Sequence, residues 1–294
     1  MTGNPARIWR NYDQAALDEQ MSLGRIADLE ALFARRTQAA EAARGAFPCA
    51  RLRYGPAERE TLNLYTPAGA PPATGWPVMM FIHGGFWRSL DADLFSFLAP
   101  AFVPAGVALA AINYPLMPEA RMEELVASCF AALRFLGREA GALGLDAKRL
   151  HVSGNSAGGH LVGELIDAVR LRARGFASDA IAGACAISGL YDLEPVRLIA
   201  MNEQIKLTRD EVKLFSPLRR EYSPACPVIA TVGGDETEEF LGQTREFAQL
   251  CTRAGAVVEH REEQGRDHIT VVLDALGVPG HRLNRAVLRM MGVA

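Results

Sequence analysis

The sequence lacks the features that mark several large classes of protein. Its five cysteines are widely spaced and form no Cys-x-x-Cys pair, so their spacing favours neither a zinc site nor a dithiol redox centre. No segment approaches 18 uninterrupted apolar residues, and Met1 to Arg10 has no apolar core of a signal peptide. We therefore expect a cytoplasmic protein with reduced cysteines, no membrane segment, no metal and no cofactor.

A basic surface is also missing. The 294 residues carry a formal net charge of −3, with Lys and Arg scattered along the chain, so a nucleic-acid partner is not expected. With 49% hydrophobic and 22% charged residues, the composition is that of a globular protein with a large core. We predict a single domain over residues 1–294.

The N-terminal part, about residues 1–48, is predicted to be a helical extension. It is rich in Ala, Leu, Glu and Arg, and Ile26, Leu29, Leu32 and Phe33 recur at helical spacing. Such a helix packs on its own domain or on a second subunit, so a homodimer is a candidate assembly.

Beyond the extension, short apolar runs alternate with segments of helical period. The pattern predicts an early antiparallel pair within 51–65, then buried strands at 78–82, 107–112, 150–152, 181–187 and 228–232. Strands alternating with helices indicate an α/β fold with a mostly parallel sheet flanked by helices. The rhythm breaks at about 194–220, which we interpret as a cap-like insertion after strand 6, over the carboxyl edge of the sheet where ligands bind.

The pentapeptide Gly154-Asn155-Ser156-Ala157-Gly158 matches the Gly-x-Ser-x-Gly pattern. The pattern alone is weak evidence, but here it follows an apolar strand and opens a helical segment. That setting is typical of a nucleophile elbow, in which the serine projects above the sheet of an α/β hydrolase. Ser156 is therefore the predicted nucleophile.

A second glycine motif, His83-Gly84-Gly85-Phe86-Trp87, directly follows the predicted strand 78–82. It resembles the HGG segment of lipases and esterases. In that arrangement the backbone N–H groups of Gly84 and Gly85, with that of Ala157, would form an oxyanion hole. The His83 ring is expected to bind the loop backbone rather than transfer protons.

A serine nucleophile needs a histidine base, and in this fold the chain order is Ser, acid, His. Of the three late histidines, His260 falls inside a predicted strand and His281 lies between short helical pieces. His268 follows the loop 262–267 and precedes the helical run 269–276. We predict His268 as the base.

The acid is expected in the loop after strand 228–232, which offers four carboxylates. Asp235 and Glu236 are the candidates. Glu238 and Glu239 fit better as charges at a helix N-terminus, where they favour the dipole and face water.

Taken together, these motifs resemble the kynurenine formamidase (arylformamidase) group of the hormone-sensitive-lipase-like branch of α/β hydrolases. The similar segments occur in order over nearly the whole chain: Asn11-Tyr12-Asp13, HGGFW at 83–87, GNSAGGHL at 154–161, SGLYDLEP at 188–195 and GDETEEF at 234–240. In related patterns the acid is the fourth residue from the glycine, which is Glu236, with Asp235 as the fallback. Asn155 is a departure, since animal members tend to have His there.

The resemblance implies hydrolysis of N-formyl-L-kynurenine to L-kynurenine and formate. Phe86, Trp87 and Tyr191 could line a pocket for the aryl group. The alternative is a carboxylesterase or aryl-amidase acting on another small ester or anilide, because the same machinery serves these acyl transfers. A non-catalytic ligand-binding protein is a weaker alternative, since every catalytic element is present.

Overall fold

The strands of the protein form one sheet with the apolar segments at its centre. The computed structural model describes residues 6–293, within which eight strands pair in the order β1-β2-β4-β3-β5-β6-β7-β8. Their bounds are β1 Cys49–Arg53, β2 Thr61–Tyr65, β3 Trp76–Ile82, β4 Ala108–Ile112, β5 Leu145–Asn155, β6 Gly183–Ile187, β7 Val228–Gly233 and β8 Val258–Glu263. Only β2 runs antiparallel to its neighbours β1 and β4 among these described strands.

The central parallel strands β3, β4 and β6 are buried because helices cover both faces of the sheet. Every residue of β3, β4 and β6 is buried, as the continuous apolar runs predict. Met80 of β3 lies opposite Ala110 of β4 and Val152 of β5, so the layer holds large and small side chains side by side. Parallel pairing brings the carboxyl ends of β3, β5, β6 and β7 to one edge, and the site forms there.

Helices cover the sheet on both faces. Their bounds are α1 Gln14–Gln20, α2 Leu29–Ala46, α3 Ala99–Phe102, α4 Met122–Arg138, α5 Ala140–Leu143, α6 Ala157–Leu165, α7 Ala168–Ala173, α8 Glu194–Leu198, α9 Asn202–Ile205, α10 Arg209–Phe215, α11 Glu238–Arg253 and α12 Arg282–Met290. Short 3₁₀ segments lie at Ala92–Leu98, Val103–Ala105 and Pro217–Arg219, and a π-helical turn spans Val271–Leu276. Within residues 6–293, none of the helices combines the length and the apolar character needed to cross a bilayer.

The predicted N-terminal helix is two helices, α1 and α2, separated by residues 21–28. Asp13 begins α1, and its side chain accepts a hydrogen bond from the Ala16 N–H at 2.9 Å. Asp28 adopts a left-handed conformation before α2. The intervening loop crosses the carboxyl edge of the sheet, because Gln20 at its start binds the β7–α11 loop through Thr237 Oγ1, which donates to Gln20 O at 2.6 Å.

The segment predicted as a cap, about 194–220, contains the short helices α8, α9 and α10. It docks on the helices beside the sheet: Arg220 donates to Glu164 Oε1 at 3.0 Å, and Arg121 at the start of α4 pairs with Glu211. His160 of α6 donates from Nε2 to Phe215 O at 2.7 Å. These contacts hold the segment against α4 and α6.

Candidate active site

Ser156 lies at the sharp turn between β5 and α6. Its backbone has φ 60° and ψ −121°, a strained conformation of the kind that recurs at functional sites. The Ser156 N–H donates to Ile187 O at the end of β6, at 2.9 Å. A Cβ on Gly158 would lie 2.0 Å from Ile82 O, so only glycine lets α6 pack this closely on β3. These features are those of the predicted elbow.

The loop that follows β3 lies directly against this turn. A Cβ on Gly84 would lie 3.1 Å from the Cβ of Ser156. Among residues 6–293, the N–H groups of Gly84, Gly85 and Ala157 donate no hydrogen bond to another protein group. Three backbone donors close to one hydroxyl are the parts of an oxyanion hole.

The predicted acid and base are in contact. Glu236 follows β7, His268 follows β8, and His268 Nδ1 lies 2.5 Å from Glu236 Oε2. The Glu236 side chain is 1% exposed and that of His268 is 8% exposed. Asp235, the fallback, is exposed and makes no such contact. The geometry therefore favours Glu236, which holds the imidazole tautomer that leaves Nε2 free to accept a proton.

Ser188 is a member of this cluster that the sequence did not assign a role. Its Oγ donates to Glu236 Oε1 at 2.6 Å, and the Gly233 N–H donates to the same oxygen at 2.7 Å. Both carboxylate oxygens are thus held. The signal in the sequence was the Ser188-Gly189 pair directly after β6, at the edge where ligands bind, but nothing local indicated which loop it would meet.

The buried histidines near the elbow do not share this arrangement. His83 donates from Nδ1 to Gly84 O at 2.7 Å, as expected, and stacks on Tyr114 at 4.4 Å between ring centroids. Burial lowers the pKa of His83 to about 3 and that of His160 to about 3, so both rings are neutral near pH 7. His260 is exposed on β8, and His281 caps α12.

One cavity of about 360 Å³ is lined by Ser156, His268 and the two-glycine loop. We call its part formed by Gly84, Gly85, Ser156 and His268 the catalytic wall. A second part, the N-terminal wall, consists of Leu23, Phe33, Arg36 and Thr37. The segment 194–220 contributes no residue to the lining, because it docks on α4 and α6 instead. Among residues 6–293, no hydrogen bond joins Ser156 Oγ to His268; such contacts are often loose without substrate.

Of the three residues predicted to line an aryl pocket, Phe86 lines the cavity, and its contact with an aryl group stays a prediction. Trp87 and Tyr191 are fully buried core residues, so their assignment as pocket residues is wrong. Trp87 packs edge-on against His160, and Tyr191 stacks on Phe247 with ring centroids 3.8 Å apart. Phe33, Phe95 and Phe240 line the cavity instead, a set that no local pattern revealed.

Glu239 also differs from its predicted place. The sequence placed it in water, but it is 1% exposed and accepts hydrogen bonds from Trp9 Nε1 at 3.3 Å and Gln243 Nε2 at 3.1 Å. Burial raises the pKa of this carboxyl, and the charge of Arg10 opposes the shift. The N-terminal segment covers this turn of α11, and a sequence cannot show that cover.

In the described part of the chain, no group of three or more His, Cys, Asp or Glu residues is arranged to hold a metal ion. What the site offers is a hydroxyl at a strained turn, an imidazole held by a carboxylate, and free backbone donors. Such a set suits acyl transfer through a covalent intermediate.

The strand order, the elbow and the site at the carboxyl edge define the class: the chain belongs to the α/β-hydrolase superfamily. The BD-FAE family model matches residues 62–175, which include the HGG loop and the elbow. Within the superfamily, the chain is similar to the kynurenine formamidase of Danio rerio, with 28% identity over 81% of this chain and 80% of that protein. The kynurenine formamidase of Drosophila melanogaster is 21% identical over 75% of this chain and 74% of its own length.

Solved structures agree on the fold. A protein from Silicibacter sp. TM1040 with a provisional thioesterase assignment has a TM-score of 0.79 and 28% identity, covering 92% of this chain and 97% of that one. A thermostable carboxylesterase from a metagenomic library has a TM-score of 0.68 and 17% identity, covering 91% of this chain and 98% of that one. The predicted α/β-hydrolase fold is confirmed.

Proposed function

We propose that this chain is a serine hydrolase that releases formate from an N-formyl aryl amide, with N-formyl-L-kynurenine as substrate and L-kynurenine as the other product. The observation that carries the proposal is the contact of Glu236 with His268, which lines one cavity together with Ser156 and the two-glycine loop. The similarity to kynurenine formamidases over about four fifths of the chain supports the formyl group as the acyl part.

The first half of the reaction would form a formyl-enzyme. Ser156 Oγ attacks the formyl carbon while His268 Nε2 takes its proton, and Glu236 stabilises the imidazolium through Nδ1–H. The carbonyl oxygen becomes an oxyanion that the N–H groups of Gly84, Gly85 and Ala157 would bind. Removal of one such donor costs about 3 kcal/mol of transition-state stabilisation in serine hydrolases.

The second half would regenerate the enzyme. His268 gives its proton to the departing aniline nitrogen, so the amine leaves neutral. Water then attacks the formyl ester with His268 as base, and formate leaves as Ser156 Oγ regains the proton. An aniline is a better leaving group than an alkyl amine, which favours this step.

The cavity fits a small aromatic substrate. Its volume of about 360 Å³ lies at the lower end of the range for ligand sites, about 300–1,000 Å³. Phe33, Phe86, Phe95 and Phe240 supply aromatic surface to it, which suits an aryl ring.

The deciding experiment compares kcat/KM for N-formyl-L-kynurenine, p-nitrophenyl esters and acetanilides with the same enzyme. The proposal predicts the highest value for N-formyl-L-kynurenine. A value no higher than those of the other substrates would reject it and favour the alternative, a carboxylesterase or aryl-amidase with the same catalytic residues.

A further inference from the structure

Arg36 is a buried cation with no anionic partner in the described chain. It lies on α2, is 7% exposed and lines the cavity at Ser156. Among residues 6–293 its guanidinium makes no hydrogen bond or ion pair, and its Nε is buried without a partner. Buried arginines are rarely left in this state, because the charge and its donors lose their hydration.

The described residues around Arg36 neither pair with its charge nor accept hydrogen bonds from its guanidinium. Its guanidinium lies 5.0 Å from the ring centroid of Phe33 and 5.8 Å from that of Phe95. Stacking of this kind uses the face of the guanidinium and leaves its in-plane N–H donors free. Asp91 attracts the charge, but it lies beyond ion-pair distance and its carboxylate caps the segment that follows, accepting from the Leu94 N–H at 3.2 Å.

The charge of the cavity lining also favours an anionic ligand. Its lining contains Arg36 and Arg88 and no Asp or Glu among the described residues. Arg88 is exposed, so water and salt screen it, whereas Arg36 is shielded from both. A cavity with aromatic surface and an unpaired arginine is complementary to an aromatic molecule that carries an anion.

We infer that Arg36 binds the carboxylate of the substrate, and that the cavity therefore selects aryl amides or esters that bear a carboxylate. The inference deepens the proposed function and rests on it for the formyl group. The planar fork of an arginine matches the two oxygens of a carboxylate. This assigns to the N-terminal extension the recognition of the amino-acid part of N-formyl-L-kynurenine.

The test uses Arg36→Met, which keeps the length of the side chain and removes the charge. The readout is inhibition of p-nitrophenyl acetate hydrolysis by L-kynurenine and by L-kynurenine amide, which lacks the carboxylate. We expect the inhibition constant of L-kynurenine to rise about 10- to 100-fold, the range for a lost hydrogen bond to a charged group. The inhibition constant of the amide should stay near its wild-type value.

Arg35→Met is the matched control. Arg35 is the neighbouring residue on α2, is exposed, and pairs with Asp274 at 2.7 Å. Its loss removes one positive charge from the same helix and should leave both inhibition constants unchanged. If Arg36→Met fails to fold, Arg36→Lys serves instead: the charge persists without the fork, and binding of L-kynurenine should weaken while that of the amide does not.

Two results would overturn the inference. Inhibition by L-kynurenine unchanged in Arg36→Met would mean that Arg36 does not bind the carboxylate. An equal loss for L-kynurenine and its amide would mean that Arg36 only maintains the shape of the cavity. Because the readout is ester hydrolysis, it remains valid if N-formyl-L-kynurenine is a poor substrate, so failure of the proposed function and failure of this inference are distinguishable.

Discussion

Two walls border the cavity at Ser156, and they come from regions far apart in the chain. The catalytic wall is built on the carboxyl ends of β3 and β5 and on the loop after β8, which a shared sheet holds in register. The N-terminal wall comes from the loop after α1 and from α2, outside the sheet. The first carries the groups that react, and the second carries an arginine and aromatic surface. The comparison separates chemistry from substrate selection.

The two segments added to the α/β core differ in whether they reach the cavity. Segment 194–220 emerges at the carboxyl edge yet docks on α4 and α6, through Arg220 and Glu211 among others. The N-terminal extension is anchored to the β7–α11 loop through Gln20 and reaches the cavity with Arg36. Position in the sequence therefore does not decide which segment covers a site.

The largest effect is expected from Ser156→Ala, which removes the proposed nucleophile. It should lower kcat for N-formyl-L-kynurenine and p-nitrophenyl acetate by about 10⁴-fold or more, as loss of a serine nucleophile does in other triads. Steady-state kinetics with the purified variant check this. Folding should persist, since the side chain is small, and undiminished turnover by a folded variant would reject Ser156.

The choice between the two carboxylates gives the next largest effect. Glu236→Gln leaves His268 without its charged partner and should lower kcat by about 10⁴-fold, as the corresponding change does in a serine protease triad. Asp235→Asn is the matched control: the residue is adjacent and exposed, so kcat should stay within about twofold. The reverse order of effects would make Asp235 the acid.

Ser188 should have a smaller effect, because it positions Glu236 and does not line the cavity. Ser188→Ala removes one of three hydrogen bonds to the carboxylate and should lower kcat about tenfold with little change in KM. Ser153→Ala is a suitable control, since Ser153 is buried on β5 and, within residues 6–293, makes no hydrogen bond to Glu236. Equal losses in kcat for the two variants would argue for a general packing effect.

The neutral histidines under the catalytic wall predict a pH effect on stability. Burial lowers the pKa of His83 and of His160 to about 3, below the value of about 6.5 in the unfolded chain. As the pH falls, the unfolded chain therefore takes up protons before the folded chain does. The contribution of these neutral rings to the free energy of unfolding is complete above about pH 6.5 and is lost as the pH falls toward 3. Each ring should lower the free energy of unfolding by about 2 kcal/mol between pH 7 and pH 5.

Urea unfolding of wild type and His160→Gln at both pH values measures this effect. Glutamine can still donate to Phe215 O, and it does not titrate, so the loss between pH 7 and pH 5 should shrink by about 2 kcal/mol. An unchanged loss would mean that His160 is not the source. The same variant should retain activity, which separates His160 from His268.

The sequence predicted the sheet and the catalytic wall because both depend on local patterns. Continuous apolar runs indicate buried strands, and the glycines around Ser156 indicate a turn at which backbone segments pack closely. Contacts between distant segments have no such signature. Trp87 and Tyr191 look like pocket residues but fill the core, Glu239 looks exposed but lies under the N-terminal segment, and the place of Arg36 follows from how α2 docks.

The separation of chemistry from selection can be measured directly in one set of assays. Steady-state kcat and KM for N-formyl-L-kynurenine are determined for wild type, Glu236→Gln and Arg36→Met. The account predicts that Glu236→Gln lowers kcat with KM near the wild-type value, and that Arg36→Met raises KM with kcat near the wild-type value. A loss of kcat in both variants with KM unchanged in both would contradict it.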